Sequence, residues 1–532
     1  MAEAKETTTQ DHRGTVLDVL RQLLDGHQAS TAVLEVVTKL VSRNEELEKL
    51  LARLRAKGNS SERVTKEQLD LFLRELPEAS NSALAEANAA LQKEIEQHGG
   101  REEKPARPRQ PPVRRPAPES LRREDNLLTV PGDSRPCPTC GKARKCVLHE
   151  TTEVIDFKPA EVFVRRDIRE VLACDACDAE MERAPMGDKV VAGGAYGSGL
   201  VAKLVIDKYD MGVPLHRQGE ELARLGLPMP SSSMSDQIMW ATDVLRPVWK
   251  SLIADVLGAV VMHIDSTSLP VLDRDHPKGS TMGSLWGLVG DEDVAAYLYT
   301  STGKQRAQRP GEIGPLDLLT ARKGPVCADA ANLFDAAFKS GGVIEVGCNM
   351  HARRYFKKAL DANDLRAAIP IAAYKTLYDV EDTVRGADPE RRREARQTRS
   401  RPVYDELLVW IRTYAPAEPP SSLLGKALQY VENQHVALTR FIDDGRLPID
   451  NGIVERLHRR PAVGRRSYLF AGSHAAGERA AIAYSILGTC RLIGVDPWAY
   501  LTDVIPRLAR DTLADADRRA LTPKAWQWSR GR

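Results

Sequence analysis

The stretch GAVVMHIDSTSLPVL, residues 258–272, marks a change in the character of this 532-residue chain. An apolar run leads into Asp265, which is followed by hydroxyl side chains. More short apolar runs follow, several bounded by glycine or proline, and such runs are typical of β-strands. They are GSLWGLVG at 283–290, VAAYLYT at 294–300, GPVCADA at 324–330 and GVIEVGCN at 342–349. The sequence therefore predicts a sheet that begins near residue 258.

Helix-forming sequence lies on both sides of these strands, at 195–255 and at 351–445. In the first of these regions, Gly226 predicts a turn and the serines at 231–233 predict a capped second helix. The pair is compatible with a helix-turn-helix. Ordinary packing of two short helices explains the same pattern and is the commoner arrangement.

The length of the chain exceeds what one compact core usually holds, so we expect a multidomain α+β protein. The net charge of +2 says little about partners. The expected parts are a helical and coiled-coil N-terminal region at 1–98, a Pro/Arg-rich linker at 99–130, a zinc-binding segment at 131–190, a helical candidate DNA-binding region at 191–257, a sheet domain at 258–475 with a helical insertion at about 357–445, and a C-terminal helical tail at 476–532.

Residues 30–57 show a heptad pattern with Asn44 at an a position among Val37 and Leu51. A single asparagine at an a position sets register and favours two strands, so the pattern predicts a homodimer or higher oligomer. An amphipathic helix packed on its own chain is the alternative. The arginines of the linker fit either DNA contact or a solvated spacer.

The chain shows no stretch with the length and apolarity of a membrane span, and its first residues, MAEAKETTTQDHRG, lack an apolar signal core. We therefore expect a cytoplasmic protein in a reducing compartment. Eight cysteines in so long a chain do not indicate a disulfide scaffold, and clustered cysteines in that setting favour metal binding.

Two CxxC pairs, CPTC and CDAC, are separated by 33 residues. Four thiolates at this spacing are typical of a tetrahedral structural Zn²⁺ site, and the strand-like sequence between them predicts a zinc ribbon-like segment. Two unrelated knuckles or redox pairs are the alternatives. The predicted ligands are Cys137, Cys140, Cys174 and Cys177.

Three acids occupy positions from which they can converge. Asp265 follows an apolar strand, Asp329 ends a second one, and Glu455 lies on a predicted helix in PIDNGIVERLHRR, residues 448–460. Carboxylate oxygens suit Mg²⁺, and two such ions serve phosphodiester chemistry. The alternatives are a structural cap for Asp265, an N-cap for Asp329 and an i,i+4 pair with Arg459 for Glu455.

Several motifs resemble the DDE transposases of the insertion sequence 66 family over nearly the whole chain. Besides the early heptads and the CxxC pairs, they are DKYDMGVPLHRQGEELARLG at 207–226, GCNMHARRYF at 347–356 and the long block at 447–501 that begins LPIDNGIVERLHRR. The chain departs from the family at Ser266, at Ala330 and Ala331, and at Gly452, and no departure removes a candidate ligand.

The resemblance implies an RNase H-like α/β catalytic core with a helical insertion before Glu455. It implies a catalytic triad of Asp265, Asp329 and Glu455 that binds Mg²⁺ or Mn²⁺. It also implies that basic side chains near the triad contact phosphates. These are Arg456, His458, Arg459, Arg465 and Arg466.

The expected function is binding of transposon ends, followed by metal-dependent strand cleavage and transfer to target DNA. The expected partners are these DNAs, a second copy of the chain and accessory transposition proteins, and the protein is nucleoid-associated when DNA is bound. Asp450 and Asn451 are expected to cap the helix that carries Glu455. The alternative function is that of a non-catalytic DNA-binding protein derived from a transposase.

Overall fold

The computed structural model describes the chain almost continuously from residue 195 to residue 530, together with one earlier helix. The described residues are 69, 82–98, 142, 161–166, 168, 170–172, 182–183 and 195–530, without 305, 311, 321, 330–333, 340–341 and 511–512. Leu69 apart, they belong to one compact unit, Leu76–Arg532. The predicted coiled coil, the linker and the four predicted zinc ligands lie outside the described residues.

Two sheets are present in the described part of the chain. Short strands β1 (Val171–Leu172) and β2 (Glu182–Arg183) form an antiparallel pair. The main sheet has the order β5-β4-β3-β6-β7. Its strands are β3 (Met262–Leu272), β4 (Ser280–Gly290), β5 (Val294–Thr300), β6 (Gly324–Ala328) and β7 (Val343–Gly347). All five strands predicted from the sequence are confirmed.

The main sheet is mixed, and β3 lies at its centre. Strands β3, β4 and β5 pair antiparallel, whereas β6 and β7 add parallel strands on the other side of β3. All seven residues of β5 are buried, as are the last eight of β4. Helices therefore cover both faces of this half of the sheet, which explains its continuous apolar sequence.

The outer strand β5 is covered by the helix His474–Leu492, which we call the edge helix. Ser485 Oγ accepts a hydrogen bond from the Tyr297 N–H at 2.7 Å. Thr489 Oγ1 accepts from the Ala295 N–H at 3.0 Å and donates to its carbonyl at 2.9 Å. An uncovered edge strand presents unpaired backbone groups, so these hydroxyls complete the hydrogen bonding of β5.

Three consecutive helices lead directly into the main sheet: Ser198–Tyr209, Leu215–Arg224 and Ser231–Gly258. The turn before the third contains Gly226 at φ 89°, a left-handed conformation that favours glycine, and the predicted turn is confirmed. The prediction of serine capping is wrong. The N-cap is Pro230, and no side chain closes a cap bond there.

The remaining helices lie between the strands, in the region after β7 and at the end of the chain. Pro315–Leu319 and Asp335–Lys339 lie between strands. After β7 come Asn349–Asp361, Ala368–Thr383, Pro389–Ala395, Arg401–Tyr414 and Leu423–Asp443, with a π-helical segment at Arg396–Ser400. The chain continues with Gly452–Leu457, Arg459–Tyr468, the edge helix, Pro497–Ala509, Asp515–Arg519 and Pro523–Arg530. None of the described helices is long and apolar enough to cross a membrane.

The early helix Ser82–His98 packs on the helices that follow β7. Leu91 is fully buried there. Asn88 accepts a hydrogen bond from Trp410 Nε1 at 2.6 Å and donates one to the Tyr414 hydroxyl at 3.2 Å. A half-buried amide with both groups bonded favours one docked position for this helix.

A fully buried arginine joins these helices to the loop that leads toward Glu455. Both edges of the Arg396 guanidinium are used, since Nε and Nη2 each lie 2.7 Å from a carboxylate oxygen of Glu381. Its Nη1 donates to three backbone carbonyls, which belong to Phe441, Asp444 and Leu447. The interaction therefore fixes where the helical region ends.

We predict that Arg396→Met lowers the free energy of unfolding by about 3–5 kcal/mol, because it leaves a buried carboxylate without its partner. Urea unfolding measures the change. Arg393→Met is the matched control, since that exposed arginine forms an ion pair with Glu390 on the same short helix. Equal midpoints for the two variants would contradict the assigned role of Arg396.

Candidate functional site

Asp265 lies within β3 rather than after a strand, and Asp329 directly follows the neighbouring strand β6. Strands β3 and β6 are parallel, and Met262 pairs with Val326, an offset of 326 − 262 = 64 positions. Asp265 and Asp329 differ by the same 64 positions. Side chains at the same level of paired strands point to the same face, and neighbouring strands lie about 4.8 Å apart. The register therefore directs both carboxylates to one place.

The loop before Glu455 is attached to β3 beside Asp265. Asn451 is fully buried, and its Nδ2 donates to the Ile264 carbonyl at 2.8 Å. Its Oδ1 lies 3.0 Å from His263 Nδ1, and its backbone N–H donates to Cys348 Sγ at 3.2 Å. These bonds place the following helix, Gly452–Leu457, against the central strand.

The expected capping of that helix is half correct. Asp450 Oδ1 accepts from the Gly452 N–H at 2.7 Å, and Asp450 Oδ2 accepts from the Tyr378 hydroxyl at 2.7 Å. Asn451 occupies the N-cap position but makes no side-chain cap bond, so the prediction for its side chain is wrong. Its amide is used on β3 instead.

Glu455 is held by two basic side chains from the helix Asn349–Asp361. Arg354 Nη2 donates to Glu455 Oε2 at 3.1 Å, and His351 Nε2 lies 3.5 Å from Oε1. Ligand atoms of Cys348, His351 and Glu455 all lie within 4.8 Å of one another, the one such group among the described residues. Glu455 Oε1 is buried and accepts no hydrogen bond from the described residues.

The i,i+4 alternative for Glu455 does not match the geometry. The ion pair of Glu455 is formed with Arg354, whereas Arg459 is exposed. Cys348 is fully buried directly after β7, as expected of a residue that packs at a strand end.

The pKa of Asp265 is raised to about 7, mainly by burial and further by the carboxylates of Asp329 and Glu455. A hydrogen bond from the Ser266 N–H at 2.8 Å and the charge of Arg354 act in the opposite direction. Negative charge is therefore costly at this point of the sheet. A bound cation would remove that cost, and hard carboxylate oxygens fit Mg²⁺ or Mn²⁺.

His458 lies inside the protein, beside the acids. It is 7% exposed, and its Nε2 lies 3.7 Å from Asp265 Oδ2. Its Nδ1 lies 3.3 Å from the Tyr297 hydroxyl. Burial lowers the pKa of His458 to about 4, so the ring is neutral near pH 7. The histidine was grouped with phosphate-contacting residues from the sequence, and the structure places it against Asp265.

The space for this ring is provided by a glycine. Gly287 is the cross-strand neighbour of both Asp265 and Tyr297. A Cβ on Gly287 would lie 2.7 Å from His458 Cε1 and 3.0 Å from Val454 Cγ2. A glycine inside a strand pattern signals such a close approach, and this signal is present in GSLWGLVG.

The other predicted basic residues divide into two groups. Arg456, Arg459 and Arg466 are exposed, and none forms an ion pair within the described chain. Arg465 is partly buried and donates from Nη1 to Thr267 Oγ1 at 2.8 Å and to the Ser268 carbonyl at 2.6 Å. Arg465 therefore fastens its helix to β3 just beyond Asp265.

Exposed arginines clustered along one stretch of helix are typical of a protein that binds nucleic acid. The family model described as "Transposase IS66 family" matches residues 193–479, more than half of the chain. The model "IS66 C-terminal element" matches 485–523, and "zinc-finger binding domain of transposase IS66" matches 134–178, which includes all four CxxC cysteines. This chain belongs to the IS66 transposase family.

Three relatives from Sinorhizobium fredii (strain NBRC 101917 / NGR234) are named only as uncharacterized proteins. The relative y4hP is 29% identical over 510 residues, which cover 91% of this chain and 88% of y4hP. The relative y4jD is 28% identical over 430 residues, 77% of this chain and 81% of y4jD. The relative y4qI is 30% identical over 325 residues, 58% of this chain and 59% of y4qI.

We predict that Gly287→Ala lowers the free energy of unfolding by about 1–3 kcal/mol, because the new methyl group overlaps the His458 ring. Urea unfolding measures it. Gly258→Ala is the control, since a Cβ there meets nothing within 4 Å. A neutral Gly287→Ala variant would show that the ring does not depend on this space.

We predict that Asp265→Asn stabilises the protein at pH 8 without added divalent cation, by about 4 kcal/mol at most. The pKa of Asp265 is about 7 in the folded protein, above its ordinary value of 3.8. The cost of its charge is therefore fully present above pH 7 and absent below pH 3.8. The gain should shrink as the pH falls through this range.

Urea unfolding at several pH values checks this dependence. Asp275→Asn, an exposed acid in the loop after β3, is the control and should change nothing. A gain that stays constant from pH 8 to pH 4 would show that the charge of Asp265 is not its cause.

Proposed function

We propose that this protein is an active transposase that binds the ends of its element, cleaves a DNA strand and transfers the new 3′ end to target DNA. The observation that supports the proposal is the offset of 64 positions that Asp265 and Asp329 share with the pairing of β3 and β6, together with the Asn451 loop that anchors the helix of Glu455 to β3. Membership of the transposase family supports DNA cleavage and transfer as the chemistry of these acids.

We assign the domain 258–475 to an RNase H-like core with a helical insertion. The order β5-β4-β3-β6-β7, with three antiparallel strands followed by two parallel ones, supports this assignment. The helices between Asn349 and Asp443 support the insertion before Glu455. The other domain boundaries expected from the sequence remain predictions.

The catalytic residues in this proposal are Asp265, Asp329 and Glu455, which would hold two Mg²⁺ or Mn²⁺ ions. When bound, such ions activate a water or a 3′-hydroxyl and stabilise the leaving oxygen. The unbonded Glu455 Oε1 and the unfavourable charge of Asp265 fit this donor set. His458 would act as a positioning residue. Its neutral ring packs beside Asp265 and adds no positive charge to that of Arg354.

Arg354 would pair with Glu455 when no metal ion is bound. Its guanidinium lies 3.1 Å from the Glu455 carboxylate and offsets the negative charge there. Arg456, Arg459 and Arg466 would contact the phosphates of bound DNA, which predicts an affinity that falls steeply with salt. Arg465 would hold its helix on β3, and His458 would pack against Asp265. Both would therefore support this surface from inside the protein.

The remaining parts of the proposal concern regions at the start of the chain. Cys137, Cys140, Cys174 and Cys177 would bind a structural Zn²⁺, as the zinc-finger match supports. The N-terminal heptads would form a homodimer or higher oligomer that brings two ends together. Accessory transposition proteins are further proposed partners, and the DNA-bound protein would be associated with the nucleoid.

We predict that Glu455→Gln reduces Mg²⁺-dependent cleavage of a labelled duplex carrying the element's ends by on the order of a thousandfold or more. The physical reason is the loss of one anionic ligand oxygen. Glu394→Gln, an exposed glutamate on the helix Pro389–Ala395, is the matched control. Binding of the same duplex should be unchanged in both variants.

Mg²⁺-induced stabilisation gives a second measurement that does not depend on turnover. Mg²⁺ should raise the unfolding temperature of the wild type and have a smaller effect on Asp265→Asn. Specific end binding without cleavage by the wild type, with accessory proteins supplied, would reject the catalytic proposal in favour of a non-catalytic DNA-binding protein derived from a transposase.

A further inference from the structure

The chain makes a strained turn between the basic helix Arg459–Tyr468 and the edge helix. Leu469 has φ 63° and ψ −50°, a left-handed conformation that is unfavourable for any side chain with a Cβ. The Phe470 N–H donates to the Tyr468 carbonyl at 2.7 Å, which closes a three-residue γ-turn. γ-Turns with positive φ are rare, and strain of this kind is concentrated at functional sites.

The strained turn carries two exposed apolar side chains. Leu469 is 61% exposed and Phe470 is 42% exposed. Two further apolar residues on the neighbouring strands are also exposed, Leu272 at the end of β3 and Met282 on β4. Single exposed apolar residues are ordinary, but a cluster of them marks an interaction surface.

The turn is fastened to the sheet. The Ala471 N–H donates to the Pro270 carbonyl at 2.8 Å, and the Leu272 N–H donates to the Ala471 carbonyl at 2.9 Å. Ala471 also forms a parallel bridge with Val271. The two apolar side chains therefore project from a rigid support, so little conformational entropy is lost when they insert into a partner.

The positive charge beside the turn indicates that the partner is an anionic polymer such as DNA. The basic helix that leads into the turn carries exposed Arg459 and Arg466, which no described carboxylate neutralises. Its Arg465 is bonded to Thr267 and Ser268, two and three residues after Asp265. The turn joins the same strand at Val271, about 20 Å along β3 from Asp265. Phosphates held by these arginines would bring a duplex against Leu469 and Phe470.

We infer that Leu469 and Phe470 form a wedge that enters the base stack of DNA bound across the site and unstacks one base step. Apolar side chains that insert between base pairs kink a duplex at a cost of unstacking, and phosphate contacts of the arginines on the basic helix would offset that cost. The inference rests on the proposed function only in taking DNA as the ligand. It needs no cleavage.

The experiment places 2-aminopurine at successive positions of a duplex carrying the element's ends and measures its fluorescence on adding the full chain with Ca²⁺. Unstacking should raise the fluorescence several-fold at one or two adjacent positions. Leu469→Ala and Phe470→Ala should abolish this rise while the protein stays folded, because both side chains are exposed. Val463→Ala, on the basic helix and 56% exposed, is the control and should keep it.

A rescue measurement separates a wedge from a simple contact. Phe470→Ala should cleave the paired duplex at least about tenfold more slowly with Mg²⁺, and a mismatch at the fluorescent step should restore the rate. No fluorescence rise at any position despite binding, or an equal loss in Val463→Ala, would overturn the inference. So would a loss of self-association in Phe470→Ala, since the patch would then contact another copy. A fluorescence rise without any cleavage would leave the wedge standing and reject the catalytic proposal.

Discussion

The buried amide of Asn451 is the contact on which the geometry of the site depends. It joins the loop before Glu455 to β3 at His263 and Ile264, directly before Asp265. A buried amide with unmet hydrogen bonds is costly, so the loop has one favourable position on the strand. Glu455 follows four residues later, about one helical turn, and is thereby directed toward Asp265. The chain between the strands and this loop can differ in length without moving the acid.

The site concentrates negative charge at a point where that charge lowers the stability of the folded protein. Asp265 is largely buried, and its pKa is raised by that burial and by two other carboxylates. Arg354 and the Ser266 N–H offset part of the cost. Groups arranged at the expense of stability are typical of sites that bind a ligand or carry out chemistry. The strained Leu469 turn follows the same principle on the surface, since its backbone conformation is unfavourable and its side chains are exposed.

Most strands and helices around the site could be predicted from local pattern, because apolar runs bounded by glycine or proline specify strands without knowledge of partners. The roles of particular side chains were less accessible. Asn451 was expected to cap a helix, yet it binds β3, because a capping residue and a long-range anchor have the same local sequence. Arg354 was not singled out, since nothing local shows that a helix after β7 faces Glu455. Gly287 indicated a close approach inside a strand. Its partner His458 could not be identified from local sequence because it lies 171 positions away (458 − 287).

The sequence by itself determined the family and the five strands, and it singled out Asp265, Asp329 and Glu455 as candidate ligands. It also determined that arginines follow Glu455. Only the tertiary structure decided which acids share a register, which basic residues remain unpaired at the surface and which histidine is buried. The reason is that hydrogen-bond register and burial depend on contacts between segments that are distant in the sequence. Hydrophobic periodicity and turn residues, in contrast, can be recognised within a few consecutive residues.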